Sequence, residues 1–397
     1  MNILPFSVSE ENAPDQVMVT NFLRQGKFSA VYECKIIKEN DITTDGVIKI
    51  SFDENYEVEM DVLFTINPKN SERFHTLIRE GSYSKMGQRY FVYSPIGMNL
   101  GDYINMQRNF KMDPRDCLTI LTEIMKGLTY LHKRGFVYKN VKPSGFCLDY
   151  DKDNPGIITR IYLWEFESCH RYNFESYKYY TDIDRMKNIY EKRKKLNING
   201  SKYCSIREHN KDCEPHYGND IESLYYLGVK MFEGTLPWSS ILLSNSEVTI
   251  EKKKSLRNVD NSFYHRTPIL YTSILRIIDK IFECEMNYKS MIINILNKTK
   301  LQLESNSLTI LNKNEEEFYR SVLTHRKDYP LPKSEVTVRL NRTRSPSSHS
   351  LRSSNERSNK TRRQMLESST RKKSLQVMFN KLFKKKTDKS KSFSKND

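Results

Sequence analysis

Four short stretches hold the residues able to do chemistry. Lys49 lies in the apolar run Val47-Ile48-Lys49-Ile50, and Glu59 follows in a stretch of helical period. Upstream, Arg24-Gln25-Gly26-Lys27-Phe28-Ser29-Ala30-Val31 sets Gly26 in a turn, where a missing Cβ lets backbone amides come close to a ligand. Downstream, Gly135 to Leu148 carries Tyr138-Lys139-Asn140 and Lys142-Pro143-Ser144-Gly145, and Ile161 to Glu167 ends in Glu165-Phe166-Glu167. A carboxylate accepts a proton or supplies the hard oxygen that magnesium prefers at about 2.0–2.1 Å. The amide of Asn140 holds a hydroxyl in position but takes up no proton at ordinary pH, and Gly145 offers no side chain at all.

The elements that must position these residues change character along the chain. From Val17 to Ile50, and again at Tyr90-Phe91-Val92-Tyr93, apolar and polar residues alternate between turn-formers, which predicts the strands of a small sheet. Between them Tyr56, Met60, Leu63 and Phe64 recur at helical spacing over Asp53 to Ile66. Beyond Ser94 the signals are helical. The strongest runs from Pro114 to His132, where Leu121, Ile124, Met125, Leu128 and Leu131 form one stripe and Gly135 ends it. Further helices are expected at Asp220 to Phe232 and Ile274 to Leu296. Strands first and helices afterwards, joined near Ser94 to Asn99, predict an α+β fold of two unequal lobes with a cleft.

The stretches, taken in order, resemble the protein kinases. Gly26 matches the middle glycine of the Gly-rich loop, with Arg24 and Ser29 at the outer two. Val47-Ile48-Lys49-Ile50 is similar to Val-Ala-Ile-Lys, and Glu59 stands where the lysine's partner acid belongs. In the catalytic loop His-Arg-Asp becomes Tyr138-Lys139-Asn140, Lys142-Pro143 remains, and the metal-binding Asn becomes Gly145. Asp-Phe-Gly becomes Glu165-Phe166-Glu167. Three further matches resemble the casein kinase I-like branch, the group of casein kinase I, tau-tubulin kinases and vaccinia-related kinases. They are Ile96-Gly97-Met98-Asn99-Leu100-Gly101-Asp102, Gly200-Ser201-Lys202-Tyr203-Cys204-Ser205-Ile206, and Asp220-Ile221-Glu222-Ser223-Leu224 followed by Leu236-Pro237-Trp238.

The resemblance implies a two-lobed kinase fold over residues 17–332, with a mainly β N-lobe at 17–94 and a larger, mainly α C-lobe at 95–332. Residues 1–16 are then an N-terminal extension. It also implies a pseudokinase acting as a scaffold or allosteric regulator in signalling. The catalytic base position holds Asn140 beside Lys142, and the second metal site has lost its oxygen at Gly145. Gly26, Val31, Lys49, Glu59 and the hinge at Val92 to Pro95 retain groups for ATP, while magnesium is left with Glu165 on a longer arm. Glu167 adds negative charge near the place of the phosphates. Two alternatives stand beside this reading: a weak Ser/Thr kinase using Glu165 for metal and Asn140 for positioning, and a tail-driven anchor.

That tail is residues 333–397, which hold 19 Lys/Arg against 5 Asp/Glu and so carry +14 of the net +16. Ser, Arg, Lys and Asn dominate it, the composition of a disordered segment. Within 371–386, Leu375, Met378, Phe379, Leu382 and Phe383 fall at helical spacing among lysines. That pattern suits an anionic membrane, a calmodulin-like groove or nucleic acid, beside protein partners of the globule. No apolar run approaches the roughly 18–20 residues that span a bilayer. Met1 to Asp15 carries acids where a signal peptide is basic, so the chain is expected inside the cell, cytoplasmic or nuclear. Seven cysteines, odd in number and nowhere Cys-x-x-Cys, suggest buried thiols rather than a disulfide framework or zinc cage.

Overall fold

Alternation along the first strands decides which side chains face the cleft. In the computed structural model the described residues are 6–8, 15–26, 29–38, 42–51, 53–66, 73–83, 88–150, 158–175, 182–194, 202–210, 212–242, 245–283 and 287–305. They include strands β1 (Phe6–Val8), β2 (Gln16–Gln25), β3 (Ser29–Ile37), β4 (Thr43–Ser51), β5 (Leu77–Tyr83) and β6 (Gln88–Tyr93), which pair antiparallel in the order β1-β2-β3-β4-β6-β5. Strand β1 comes from the stretch expected to be an extension, and it lies along β2 with Phe6 opposite Val19.

The period of two splits the sheet into two apolar faces. Val31, Val47, Phe91 and Tyr93 join the main core, while Ala30, Tyr32, Ile48, Tyr90 and Val92 pack on the other face with Val17 and Val19. Lys49 shares the first face, its neighbours in register being Val31 and Phe91. Helix α1 (Asp53–Ile66) lies against that face through Tyr56, Val58, Val62, Leu63 and Ile66 and leaves Phe64 exposed.

The larger lobe is built on α3 (Pro114–His132), with α2 (Leu100–Met106) before it. Asp113 caps α3, its carboxylate accepting from Arg115 N at 2.8 Å, with proline in the first turn. Gly135 follows at φ +83°, and a Cβ there would meet Asn173 at 2.9 Å, so the stop needs glycine on both counts. Around α3 lie α4 (Ile183–Lys194), α5 (Tyr217–Glu233), α6 (Ser246–Ser255), α7 (Ile269–Thr272), α8 (Ile274–Lys280) and α9 (Tyr288–Ser305). The expected helix Ile274 to Leu296 is thus two helices, α8 and α9, because the chain leaves helical geometry after Ile281.

Short strands β7 (Met98–Asn99), β8 (Phe136–Val137), β9 (Phe146–Tyr150), β10 (Ile158–Leu163) and β11 (His170–Arg171) carry the loops of the cleft. Sheet β10-β9-β7 and pair β11-β8 bring Tyr138 to Gly145 beside Glu165 to Glu167. Asp220 of α5 fixes the first of these loops, accepting from Tyr138 N at 2.7 Å and Lys139 N at 2.8 Å, with His132 Nε2 at 2.9 Å. It holds Lys139 in the left-handed region at φ +58°. Among the described residues five cysteines are buried, and Cys213 is half-buried. No helix among the described residues is long and apolar enough to cross a membrane. Everything described lies within Leu4–Lys327. The basic segment 333–397 and its Leu375, Met378, Phe379, Leu382 and Phe383 lie outside the described residues, as does the boundary at 332.

Candidate functional site

Strand β4 and helix α1 bring Lys49 and Glu59 together, Nζ to Oε2 being 2.6 Å, with both side chains sealed from solvent. Tyr93 of β6 donates its hydroxyl to Glu59 Oε1 at 2.9 Å. A second carboxylate completes the cluster. Glu167 Oε2 accepts from Lys49 Nζ in a short bond, and Glu167 Oε1 accepts from Ser29 Oγ at 3.2 Å. Burial would discharge Lys49, but Glu167, Glu59 and Glu165 outweigh it and keep the ammonium charged. Burial also pushes Glu59 up, to about 7, with Lys49 opposing. For Glu167 burial raises the pKa too, yet Lys49 and the bonds from Lys49, backbone and Ser29 hold it below the usual carboxylate value. Glu167 is therefore the ionised partner of Lys49, and Glu59 is the first of the two to take a proton.

Of the residues expected to grip a nucleotide, Val31 and Lys49 share one face of the sheet, and Glu59 meets Lys49 there from α1. Gly26 is exposed at the turn, its N–H bonded to Ser29 O at 2.8 Å.

The catalytic-loop residues gather around Glu165. Asn140 Nδ2 donates to Glu165 Oε2 at 3.1 Å, and Arg24 reaches from β2 to within 3.5 Å of Glu165 Oε1. Glu165 itself sits at φ +64°, uncommon for a side chain of its size. Lys142 is half-buried at the start of the turn, its carbonyl accepting Gly145 N at 2.9 Å. The hydroxyl of Tyr138 donates to Gly145 O at 2.7 Å and lies in a short bond to Trp164 O. A Cβ at position 145 would stand 2.5 Å from Asn140 O and 2.9 Å from the Tyr138 hydroxyl, so the space of the lost asparagine is filled.

Helix α1 is anchored from the far side of the cleft. Arg171 holds Asp61 through two bonds of 2.8 and 2.9 Å, with Tyr190 of α4 donating to the same carboxylate at 2.7 Å. Arg193, also on α4, donates to Asn55 Oδ1 at 2.6 Å and to the carbonyl of Glu167. The patterning of Ile183–Lys194 gave no sign of this strut, nor did the sequence indicate that Arg24 and Glu165, or Ser29 and Glu167, would meet.

Magnesium nucleotide does not fit this arrangement. A phosphate on Lys49 would stand within ~4 Å of ionised Glu167, a repulsion of about 4 kcal/mol at an effective dielectric of 20. The oxygens of Glu165 already face Asn140 and Arg24. One acceptor, Asn140 Oδ1, is buried without a hydrogen-bond partner, but it is a neutral oxygen, whereas magnesium is held through one or two carboxylates beside its waters and phosphates.

The sheet-and-helix lobe, the Lys49–Glu59 pair and the loop order define a protein kinase fold, and residues 18–187 match the protein kinase domain family. The proteins the chain is similar to include vaccinia-related kinases, on the casein kinase I-like branch. It is 21% identical over 294 residues to serine/threonine-protein kinase spe-6 of Caenorhabditis elegans, covering 72% of each chain. It is 22% identical over 166 residues to serine/threonine-protein kinase VRK3 of Homo sapiens, a match spanning 42% of this chain and about a third (32%) of that relative. A solved structure of vaccinia related kinase 3 shares the fold, with a TM-score of 0.55 and 17% identity over 77% of this chain and 93% of that one.

Proposed function

We propose that this protein is a catalytically silent, kinase-fold member of signalling complexes inside the cell, working by protein contacts rather than phosphoryl transfer. The observation that carries the reading is Asn140. The group facing a substrate hydroxyl is a neutral amide, and the nearest carboxylate, Glu165, is turned onto that same amide at 3.1 Å. Phosphoryl transfer needs an acceptor or orienter for the hydroxyl proton and paired metal oxygens acting together, and losing such groups costs orders of magnitude in rate. The basic segment 333–397 adds a charged arm suited to an acidic partner or surface.

Phosphate transfer from ATP, to the protein itself and to a Ser/Thr peptide, should stay at the level of a Lys49→Met control with or without magnesium. Transfer that needs both magnesium and Lys49 would overturn the reading in favour of a weak Ser/Thr kinase.

A further inference from the structure

We infer that the cleft is held shut by its own side chains: Glu167 takes the place of a nucleotide phosphate on Lys49, and nucleotide stays out while that carboxylate is present. This deepens the reading of a silent kinase fold, on which it rests for the identity of the cleft, and it concerns binding rather than transfer.

Both substituted glycine positions of the hairpin between β2 and β3 meet a substituted position in the segment after β10. Arg24 lies 3.5 Å from Glu165, and Ser29 Oγ donates to Glu167 at 3.2 Å. In each case a side chain that glycine could not supply spans the two lobes. Trp164 fills the space between the two links. Its ring is buried, 5.6 Å from Lys49 Nζ and 5.8 Å from the Arg24 guanidinium, and packs edge-on to Tyr93 at 4.8 Å. The backbone of Glu167 is held as well, since Arg193 donates to its carbonyl while also bonding Asn55 of α1.

Lys49 therefore has two carboxylates and no exposure to solvent. An incoming phosphate must either displace Glu167, stranding a buried carboxylate, or bind beside it. Two like charges at ~4 Å weaken association about a thousandfold at an effective dielectric of 20. Neither route involves a bond made or broken, so the exclusion is a matter of charge and space.

The test is a titration of the full chain with magnesium-free ADP, read by calorimetry and by thermal shift. The wild-type protein should show no binding at about 1 mM, and Ser29→Gly with Glu167→Gly should bind at least about a hundredfold more tightly. Glu167→Gln keeps the shape and removes the charge; it should bind at least about tenfold more tightly than wild type, and it decides the matter should the double variant fail to melt cooperatively. Micromolar ADP binding by the wild-type chain, or no gain in a folded variant, would overturn the inference. Given ATP and magnesium in a separate assay, the opened variants should still transfer no γ-phosphate to a Ser/Thr peptide, because Asn140 is unchanged; transfer by them would strike at the silent reading and leave the ADP-binding result intact.

Discussion

The hydroxyl of Tyr138 sits 2.9 Å from where a Cβ at position 145 would stand, so Tyr138 and Gly145 are sterically matched. Restoring asparagine at 145 alone should overpack the loop. Gly145→Asn is expected to lose about 1–3 kcal/mol of stability, and Tyr138→His together with Gly145→Asn should recover only part of it, because the Asn140 backbone oxygen lies nearer still, at 2.5 Å. Denaturant melts of the two single variants and the double variant give the coupling; additive losses would mean that the two positions are independent. If the loop is silent, as proposed, an attempt to make it transfer phosphate must change Tyr138 along with Asn140, Gly145 and Glu165.

Removing Lys49 leaves two buried carboxylates facing each other. Lys49→Met should therefore destabilise the fold by about 3–5 kcal/mol, far more than an exposed lysine would. Because Glu59 already titrates at about 7 beside Lys49, the loss should be smaller at pH 6 than at pH 8, where both acids must stay charged. A pH-independent loss would argue that the lysine contributes only packing. The transfer control in the same background must be run below its lowered melting temperature.

Much of this was legible in the sequence, for reasons that differ between fold and site. Strand alternation put Lys49 on the face of Val47, and the stripe of α3 with its Gly135 stop announced the helix that organises the large lobe. Strand β1 was not legible because three residues, Phe6–Val8, are too short to show a period. The split between α8 and α9 was not legible because no glycine or proline stands between Ile274 and Leu296 to mark the break. Each substituted kinase position could be named from the sequence, but the pairing of Ser29 with Glu167 spans 138 residues and two lobes, and no local pattern encodes it.

The strut behind α1 gives a third prediction. Arg171→Leu strands the buried Asp61 and should cost about 3–5 kcal/mol, whereas Tyr190→Phe, which removes one of several donors to that carboxylate, should cost about 1 kcal/mol. Thermal melts of both variants and of Asp61→Asn check this. If Arg171→Leu melts like wild type, the Arg171–Asp61 pair contributes nothing to holding α1.

Acid should loosen the fold most through two of its buried histidines. Burial lowers both His75, stacked at 4.0 Å on Tyr162, and His170 to about 3, with Lys139 and Lys194 adding to the effect at His170. Their ordinary value is 6.5, so between 6.5 and 3 the unfolded chain binds protons that the folded chain does not. Stability is full above 6.5 and falls as the pH drops, by at most about 1.4 kcal/mol per pH unit for each histidine. Glu59 works in the opposite direction between 4.5 and about 7, which blunts the slope near neutrality. His75→Phe with His170→Phe should make the fall in melting temperature between pH 6.5 and 5 shallower, leaving the share of His209 and His216, which burial lowers to about 4; an unchanged slope would place the acid sensitivity elsewhere.

Asp220 accepts from two backbone amides of the catalytic loop, and its other partner, His132, lies on α3. The contour by which the loop is recognised is thus a property inherited from helix α5, separable from whatever the loop's side chains do. Alignment to a kinase profile reads the contour, so a working chain and a silent one earn the same register there. For a chain of this kind, what discriminates is the inventory of side chains facing the cleft, and a search tuned to pairs such as Arg24 with Glu165 would sort sequences that loop register alone leaves together.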